Sequence, residues 1–166
     1  MAKANHWPPR NLYGLKLQLD ALADAVGERP RHRTDDEQVW LTRFLVVRTC
    51  GYLEQVVYEA AREHVRQKSG GRVRTLALSW IERTRNPTPE NLLDLISRFG
   101  DDFFNELESI LDEDDKRLRR ELKLLVDRRN KIAHGLNEGM TQTKALSLKR
   151  DVEAIADWVL ANLKPN

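Results

Sequence analysis

The longest helical pattern in the chain runs through residues 34–68, which read TDDEQVWLTRFLVVRTCGYLEQVVYEAAREHVRQK. Thr34 and Glu37 stand three positions apart at its start, which is the spacing of a capping box, where each side chain satisfies a backbone N–H of the other residue. Apolar residues then recur every three or four positions, as on one face of a helix, and Gly70 and Gly71 follow the last turn. The pattern predicts one long amphipathic helix.

Helical spacing also appears on both sides of this segment. Upstream, leucines at positions 12, 15, 19 and 22 predict a helix that Gly27 ends, and Pro30 marks a linker before Thr34. Downstream, Thr88 and Pro89 are residue types that begin helices. The same spacing predicts helices over about 73–85, 88–99, 102–111, 115–134 and 144–163.

The predicted fold class is all-α, because no segment alternates apolar and polar residues convincingly over six positions. The chain has 166 residues, of which 40% are hydrophobic and 33% charged. These values fit a helical bundle with a packed interior and a charged surface. We expect residues 1–33 to form an N-terminal leader with a short helix, and residues 34–166 to form the main helical domain.

Cys50 is the one cysteine of the chain, which excludes an intrachain disulfide and a cysteine-rich zinc site. It lies in an apolar stretch and is expected to pack as a small hydrophobic residue. No apolar run reaches the roughly 18–20 residues of a membrane span, and residues 1–10 have no apolar signal-peptide core. We therefore expect a cytoplasmic protein with no membrane partner, and we predict no metal site and no cofactor.

Charged residues are unevenly distributed, although the formal net charge is only +2. Basic residues concentrate in 62–85 and 116–131, and acidic residues in 101–115. Each run can be a solvated helix face, but the second basic run can also contact RNA. The residues that we predict to contact RNA are Lys131, Lys123 and Arg120. The acidic run 112–115 is typical of a helix start rather than of a metal site, since two-metal sites gather carboxylates from separate elements.

One short stretch, residues 128–135, carries side chains suited to chemistry and reads RRNKIAHG. Asn130 and His134 are four residues apart and share a helix face. Arg129 lies about 140° round the helix from His134, an angle that its long side chain can span. Gly135 suits a left-handed helix end, so His134 is predicted at a terminus, where its ring can face a cleft. The alternative is that His134 only stabilises the negative end of the helix dipole.

This stretch resembles the R-x4-6-H signature of the HEPN superfamily, in which a polar residue commonly follows the arginine. Arg129, Asn130 and His134 match it, and Arg128 fits the spacing as well, so the spacing leaves open which arginine is used. The long helix, the NPTPENLL helix start at 86–93 and the final helix are similar to the RiboL-PSP-HEPN branch, over about residues 38–163. The resemblance implies a HEPN-type bundle of about five to seven helices.

The resemblance also implies a metal-independent endoribonuclease with Arg129, Asn130 and His134 as catalytic residues. In this reaction the ribose 2′-hydroxyl attacks the adjacent phosphate. The residue types fit, because imidazole exchanges a proton near neutral pH and arginine can stabilise a phosphorane whose negative charge grows. One chain offers one well-placed histidine, so a homodimer with a shared cleft is expected to supply the second and to be required for activity.

Two residues of the long helix are candidates for supporting this site. Glu54 lies among apolar neighbours and corresponds to a polar position that often faces the cleft in the superfamily; it can equally be an ordinary residue at the edge of the apolar stripe. Arg48 interrupts the same stripe and needs an acid, a phosphate or solvent. Both side chains can reach the region of Arg129 and His134. Arg128 is a third supporting candidate.

Three functions remain open on the sequence. The first is an RNase effector, either a toxin or an anti-phage component, with RNA as substrate and a cognate antitoxin or defence-system protein as partner. The second is a catalytically inactive HEPN module that binds RNA, nucleotide or a partner protein. The third is a helical dimerisation domain with no nucleic-acid role.

Overall fold

The structure is a computed structural model that describes residues 6–81, 86–136 and 139–165. Six helices and no strand are found in these residues, which confirms the all-α prediction. The helices are α1 (Arg10–Gly27), α2 (Asp35–Lys68), α3 (Gly71–Ile81), α4 (Pro89–Ser97), α5 (Asp101–Ala133) and α6 (Gln142–Asn162). Residues 82–85, the end of the helix predicted over 73–85, lie outside the described residues.

Helix α2 is the centre of the bundle and contacts α1, α3, α5 and α6. Its start has the predicted capping box: the Thr34 side chain accepts from the Glu37 N–H, and the Glu37 carboxylate accepts from the Thr34 N–H. Leu45, Leu53 and Val56 are completely buried along its inner face. Truncating such a leucine to alanine typically lowers the free energy of unfolding by about 2–5 kcal/mol. This buried face therefore holds α2, and the side chains on its other faces, in a fixed position.

Helices α1 and α6 lie against α2 and against each other. Four charged side chains join them: Lys16 and Lys149 each pair with Asp20 and Glu153 at 2.5–2.7 Å. We call these four residues the α1–α6 charge network. The α1–α6 charge network links these two helices through ion pairs.

Helix α5 contains the two helices predicted over 102–111 and 115–134, joined at a kink. At the kink Glu113 has extended backbone, and Asp114, Asp115 and Lys116 have positive φ angles of 51°, 56° and 60°. The acidic run 112–115 therefore leads through this bend into the second helical segment. Arg119 pairs with Asp112 at 2.5 Å across the bend, which offsets the repulsion among neighbouring carboxylates.

Helix boundaries elsewhere are close to those predicted. Thr88 caps α4 by accepting from the Asn91 N–H at 3.2 Å, and Pro89 occupies the first turn. Helix α4 ends at Ser97, two residues before the end of the helix predicted over 88–99, and Gly100 precedes α5 with φ +146°. No helix in the described part of the chain combines the length and apolar character needed to cross a membrane.

Candidate active site

The C-terminal end of α5 presents His134. Helix α5 ends at Ala133, His134 is its C-cap, and its N–H donates to the Asn130 carbonyl at 3.1 Å. Gly135 follows with φ +72°, the left-handed conformation in which glycine avoids the penalty of a Cβ. His134 is exposed, and no hydrogen bond or ion pair to its ring occurs among the described residues. The ring is therefore free to meet a ligand from solvent.

Arg129 is the best-anchored side chain of the motif. Its Nη2 donates to Glu54 Oε1 at 3.1 Å, and its Nη1 donates to Asn130 Oδ1 at 3.0 Å and to Asn86 Oδ1 at 3.2 Å. The Arg129 side chain is 28% exposed, so water and a ligand can still reach it. These contacts orient a permanent positive charge at the surface between α2, α4 and α5.

Glu54 reaches Arg129 because it lies on the face of α2 that is turned towards α5. Its carboxylate is 26% exposed and forms the ion pair with Arg129. One turn earlier, Cys50 donates weakly to Glu54 Oε1 at 4.0 Å. Burial chiefly, and then the Glu54 charge, raises the pKa of the Cys50 thiol to about 12, although Arg129 acts in the opposite direction. Cys50 is thus the buried, protonated residue that the sequence predicted.

Asn86 is a member of the site that sequence reasoning missed. It stands in the loop before α4, and its backbone carbonyl accepts from Asn91 Nδ2 at 2.9 Å. This contact fixes the loop, while the Asn86 side chain accepts from Arg129. The NPTP sequence indicated a helix start at this position, but no local signal indicates that the asparagine meets a residue 43 positions later.

The structure does not bring Arg48 into this cluster. Its Nη2 donates to Gln18 Oε1 on α1 at 3.2 Å. Six residues along a helix correspond to a rotation of about 240°, so Arg48 and Glu54 leave α2 on different sides. Arg128 is half-buried on the turn of α5 that carries Arg129, but only Arg129 of the two is joined to Glu54, Asn86 and Asn130 by the bonds described above.

The cations predicted to contact RNA all lie on α5, and each has a carboxylate neighbour. Lys123 Nζ lies 2.8 Å from Glu90, and this hydrogen bond is the main reason that the pKa of Glu90 is lowered. Lys131 pairs with Asp127 at 3.2 Å and Arg120 with Asp115 at 3.1 Å. Exposed pairs of this kind are worth about 0–1 kcal/mol, so a phosphate can compete for these cations.

A cavity of about 470 Å³ opens beside the Arg129 cluster, between α2, α3 and the start of α4. We call it the α3–α4 cavity. Its described wall includes Glu54 and Asn86, the two partners of Arg129 from outside α5, and also Trp80, Asn91, Asp94 and Arg98. No group of three or more His, Cys, Asp or Glu side chains suited to holding a metal ion occurs among the described residues.

Comparison with known proteins gives one match. The sequence model described as RiboL-PSP-HEPN matches residues 12–160, a span that begins in α1 and ends in α6. No curated protein and no solved structure matches the chain at a significant level.

Proposed function

Since the chain belongs to the RiboL-PSP-HEPN family and has the helical bundle expected of it, we propose that it is a metal-independent endoribonuclease. Arg129, Asn130 and His134 carry the reaction, at a cleft shared by two copies of the chain. The observation that carries the proposal is the Arg129 side chain, which is held in place by Glu54, Asn86 and Asn130 and stays partly exposed, five residues before the exposed His134.

The residues suit transesterification at phosphorus. A base takes the proton of the ribose 2′-hydroxyl, and the oxygen attacks the adjacent phosphate. The bond to the 5′-oxygen breaks, and an acid protonates that leaving group. The products are a 2′,3′-cyclic phosphate and a 5′-hydroxyl, with no water consumed. A positioned imidazole contributes about 10²–10⁴ in rate as acid or base, and Arg129 stabilises the phosphorane charge.

The pairing of Arg129 with Glu54 limits how the arginine can act. A phosphate that approaches must share the guanidinium with a carboxylate already bound to Nη2. Arg129 has five N–H donors, of which Nη1 and Nη2 make the three bonds described above. We infer that Glu54 positions Arg129 and that the phosphate binds the remaining donors. Asn130 acts with Arg129, since its amide oxygen accepts from it.

A second copy of the chain completes the site in this proposal. Trp40 and Phe44 are 66% and 51% exposed on α2, and with Val47 and Gly51 they follow helical spacing towards Glu54. An added Cβ at Gly51 would meet no atom of another helix within 4 Å, so this helix face is open to close approach. Two copies packed by this face about a twofold axis would place both Arg129 clusters at one cleft.

The dimer is tested by sedimentation equilibrium together with RNA cleavage. We expect Phe44→Glu to give a monomer with strongly reduced cleavage, because a charge would be buried in the apolar contact. Val73→Glu is the matched control, since Val73 is 68% exposed on α3. A Phe44→Glu monomer with undiminished cleavage would remove the dimer from the proposal.

Cleavage itself is tested with purified protein and RNA in EDTA. We expect the wild type to cleave, and His134→Ala and Arg129→Ala to be slower by at least about 100-fold. His32→Ala is the control, because His32 is exposed in the linker before α2. Equal rates for the wild type and His134→Ala would remove His134 from the mechanism.

The cellular role that we propose is that of a toxin or anti-phage effector held in check by a partner protein. Expression in a bacterial host is expected to arrest growth, and His134→Ala to relieve the arrest. Growth arrest by wild type and His134→Ala alike would contradict this role.

The three hydrogen bonds from Arg129 to protein groups also favour one other function, that of a catalytically inactive module that binds RNA. Such a module binds RNA with affinity that falls steeply as salt increases, and it gives no cleavage products under any of the conditions above.

A further inference from the structure

The α3–α4 cavity shares two of its wall residues with the Arg129 cluster. Glu54 lines the cavity and accepts from Arg129 Nη2 at 3.1 Å, and Asn86 lines it and accepts from Nη1 at 3.2 Å. The volume of about 470 Å³ falls within the roughly 300–1,000 Å³ of small-molecule sites. A ligand in the cavity is therefore separated from Arg129 by one layer of side chains.

We propose that the α3–α4 cavity binds one base of the RNA strand whose phosphate lies at Arg129, and that it prefers guanine. The inference rests on the proposed ribonuclease function, because it takes Arg129 as the phosphate contact. In a nucleotide, base and phosphate are joined through one sugar, and this spacing suits a phosphate at Arg129 with a base behind Glu54 and Asn86.

Flat surfaces suited to stacking line one side of the cavity. Trp80 is 54% exposed at the end of α3, although tryptophan is usually mostly buried. The Arg98 guanidinium lies over its ring, 5.7 Å from the centroid. Single-stranded RNA is held by bases stacking on aromatic rings and arginine planes. Trp80 and Arg98 both line the cavity, so a base that enters it can stack on the Trp80 ring or on the Arg98 guanidinium.

The polar part of the wall contains two carboxylates beside the Arg98 guanidinium and the amides of Asn86 and Asn91. Asp94 and Glu54 contribute carboxylates, and each is described with only one oxygen engaged, by Arg98 at 2.8 Å and by Arg129 at 3.1 Å respectively. Guanine presents two adjacent donors, N1–H and the 2-amino group, which match the two oxygens of a carboxylate. Uracil presents a single N–H between two carbonyl oxygens, which a carboxylate repels. This wall therefore favours guanine over uracil.

The test measures binding without cleavage. Wild-type protein is titrated with two pentanucleotides of 2′-O-methyl RNA, one all uridine and one with a central guanosine, since methylation blocks the attacking oxygen. We expect the guanosine strand to bind at least about tenfold more tightly. Asp94→Asn is expected to reduce this ratio to near one, and Trp80→Ala to weaken both strands. Asp24→Asn and Tyr13→Ala are controls, because both residues are exposed on α1.

Each outcome decides the proposal. Equal binding of the two strands, or a guanosine preference that survives Asp94→Asn, overturns it. Guanosine 5′-monophosphate is titrated as well. If it binds as tightly as the guanosine strand, the cavity is a mononucleotide site and the assignment to RNA is overturned. A guanosine preference in a protein that cleaves nothing supports the base site and removes the nuclease, whereas cleavage with no base preference removes the base site alone.

Discussion

Two clusters of charged side chains join helices in this molecule, and their surroundings differ. The α1–α6 charge network has two lysines and two carboxylates that neutralise one another. The Arg129 cluster has one guanidinium, one carboxylate and two amides, next to a cavity and an open helix end. An interhelical ion pair does not by itself mark a site. Spare donors, access for a ligand and a neighbouring histidine make the Arg129 cluster the candidate site.

The largest effect that separates the clusters is expected from removing their central cations. Arg129→Ala should lower the rate of RNA cleavage by about 10²–10³-fold, because no other group replaces its charge at the phosphate. Lys149→Ala should leave cleavage unchanged but lower the free energy of unfolding by about 1–2 kcal/mol, since its side chain is only 12% exposed. Cleavage kinetics and urea unfolding measure the two effects. If Lys149→Ala cleaved RNA as slowly as Arg129→Ala, the two clusters would not differ in their effect on cleavage.

The clusters also differ in how far the sequence predicts them. The capping box of Thr34 and Glu37 was predictable because both partners lie within one helical turn. The motif predicts Arg129, Asn130 and His134 because they lie within six consecutive residues, and their roles stay a prediction. The contact between Glu54 and Arg129 joins residues 75 positions apart, and it depends on how α2 packs against α5. Helical periodicity predicts which face of a helix is buried, but it does not predict which other helix packs against that face.

The placement of Arg48 has the same kind of explanation. Arg48 interrupts the apolar stripe of α2, but only the packing of α1 shows that Gln18 is its partner. The break between the helices predicted over 102–111 and 115–134 is present at 113–116. Its positive φ angles were not predictable, because no glycine stands there.

A smaller effect on cleavage is expected from Glu54, which we regard as a positioning residue. Glu54→Ala should lower kcat by about 10- to 100-fold by letting Arg129 move. Glu54→Gln keeps an acceptor for Arg129 Nη2 and should recover most of that loss with little change in KM. The measurement is steady-state cleavage of one RNA by both variants, with Glu59→Ala on the same helix as control. Equal loss in Glu54→Gln and Glu54→Ala would show that the charge, and not the hydrogen bond, is needed.

The reactivity of Cys50 measures how well the interior beside the Arg129 cluster is closed to solvent. Its pKa of about 12, due mainly to burial, leaves almost no thiolate at pH 8. Iodoacetamide should therefore modify native protein at least about 100-fold more slowly than unfolded protein, as measured by mass spectrometry. Rapid labelling of the native chain would show that α2 opens next to Glu54, and that Arg129 is held less firmly than its contacts indicate.

The smallest effect is the contribution of Asp20 to the pH dependence of stability. Burial alone would raise its pKa, but hydrogen bonds from Lys149 and Lys16 lower it. The resulting stabilisation is present above about pH 4, near the unfolded pKa, and is lost as pH falls through the lower folded value. Asp20→Asn should therefore flatten the decline of Tm between about pH 4 and pH 2. An unchanged profile would show that the α1–α6 charge network does not hold Asp20 ionised.

The most direct test of the mechanism uses a DNA strand that contains a single ribonucleotide, incubated with wild-type protein and with His134→Ala in EDTA. Only the 2′-hydroxyl at that position can act as the internal nucleophile. The wild type is expected to cut once, directly 3′ of the ribonucleotide, leaving a 2′,3′-cyclic phosphate, while His134→Ala leaves the strand intact. Cutting at deoxynucleotides, or equal cutting by both proteins, would contradict attack by the 2′-oxygen with His134 as the proton-transfer group.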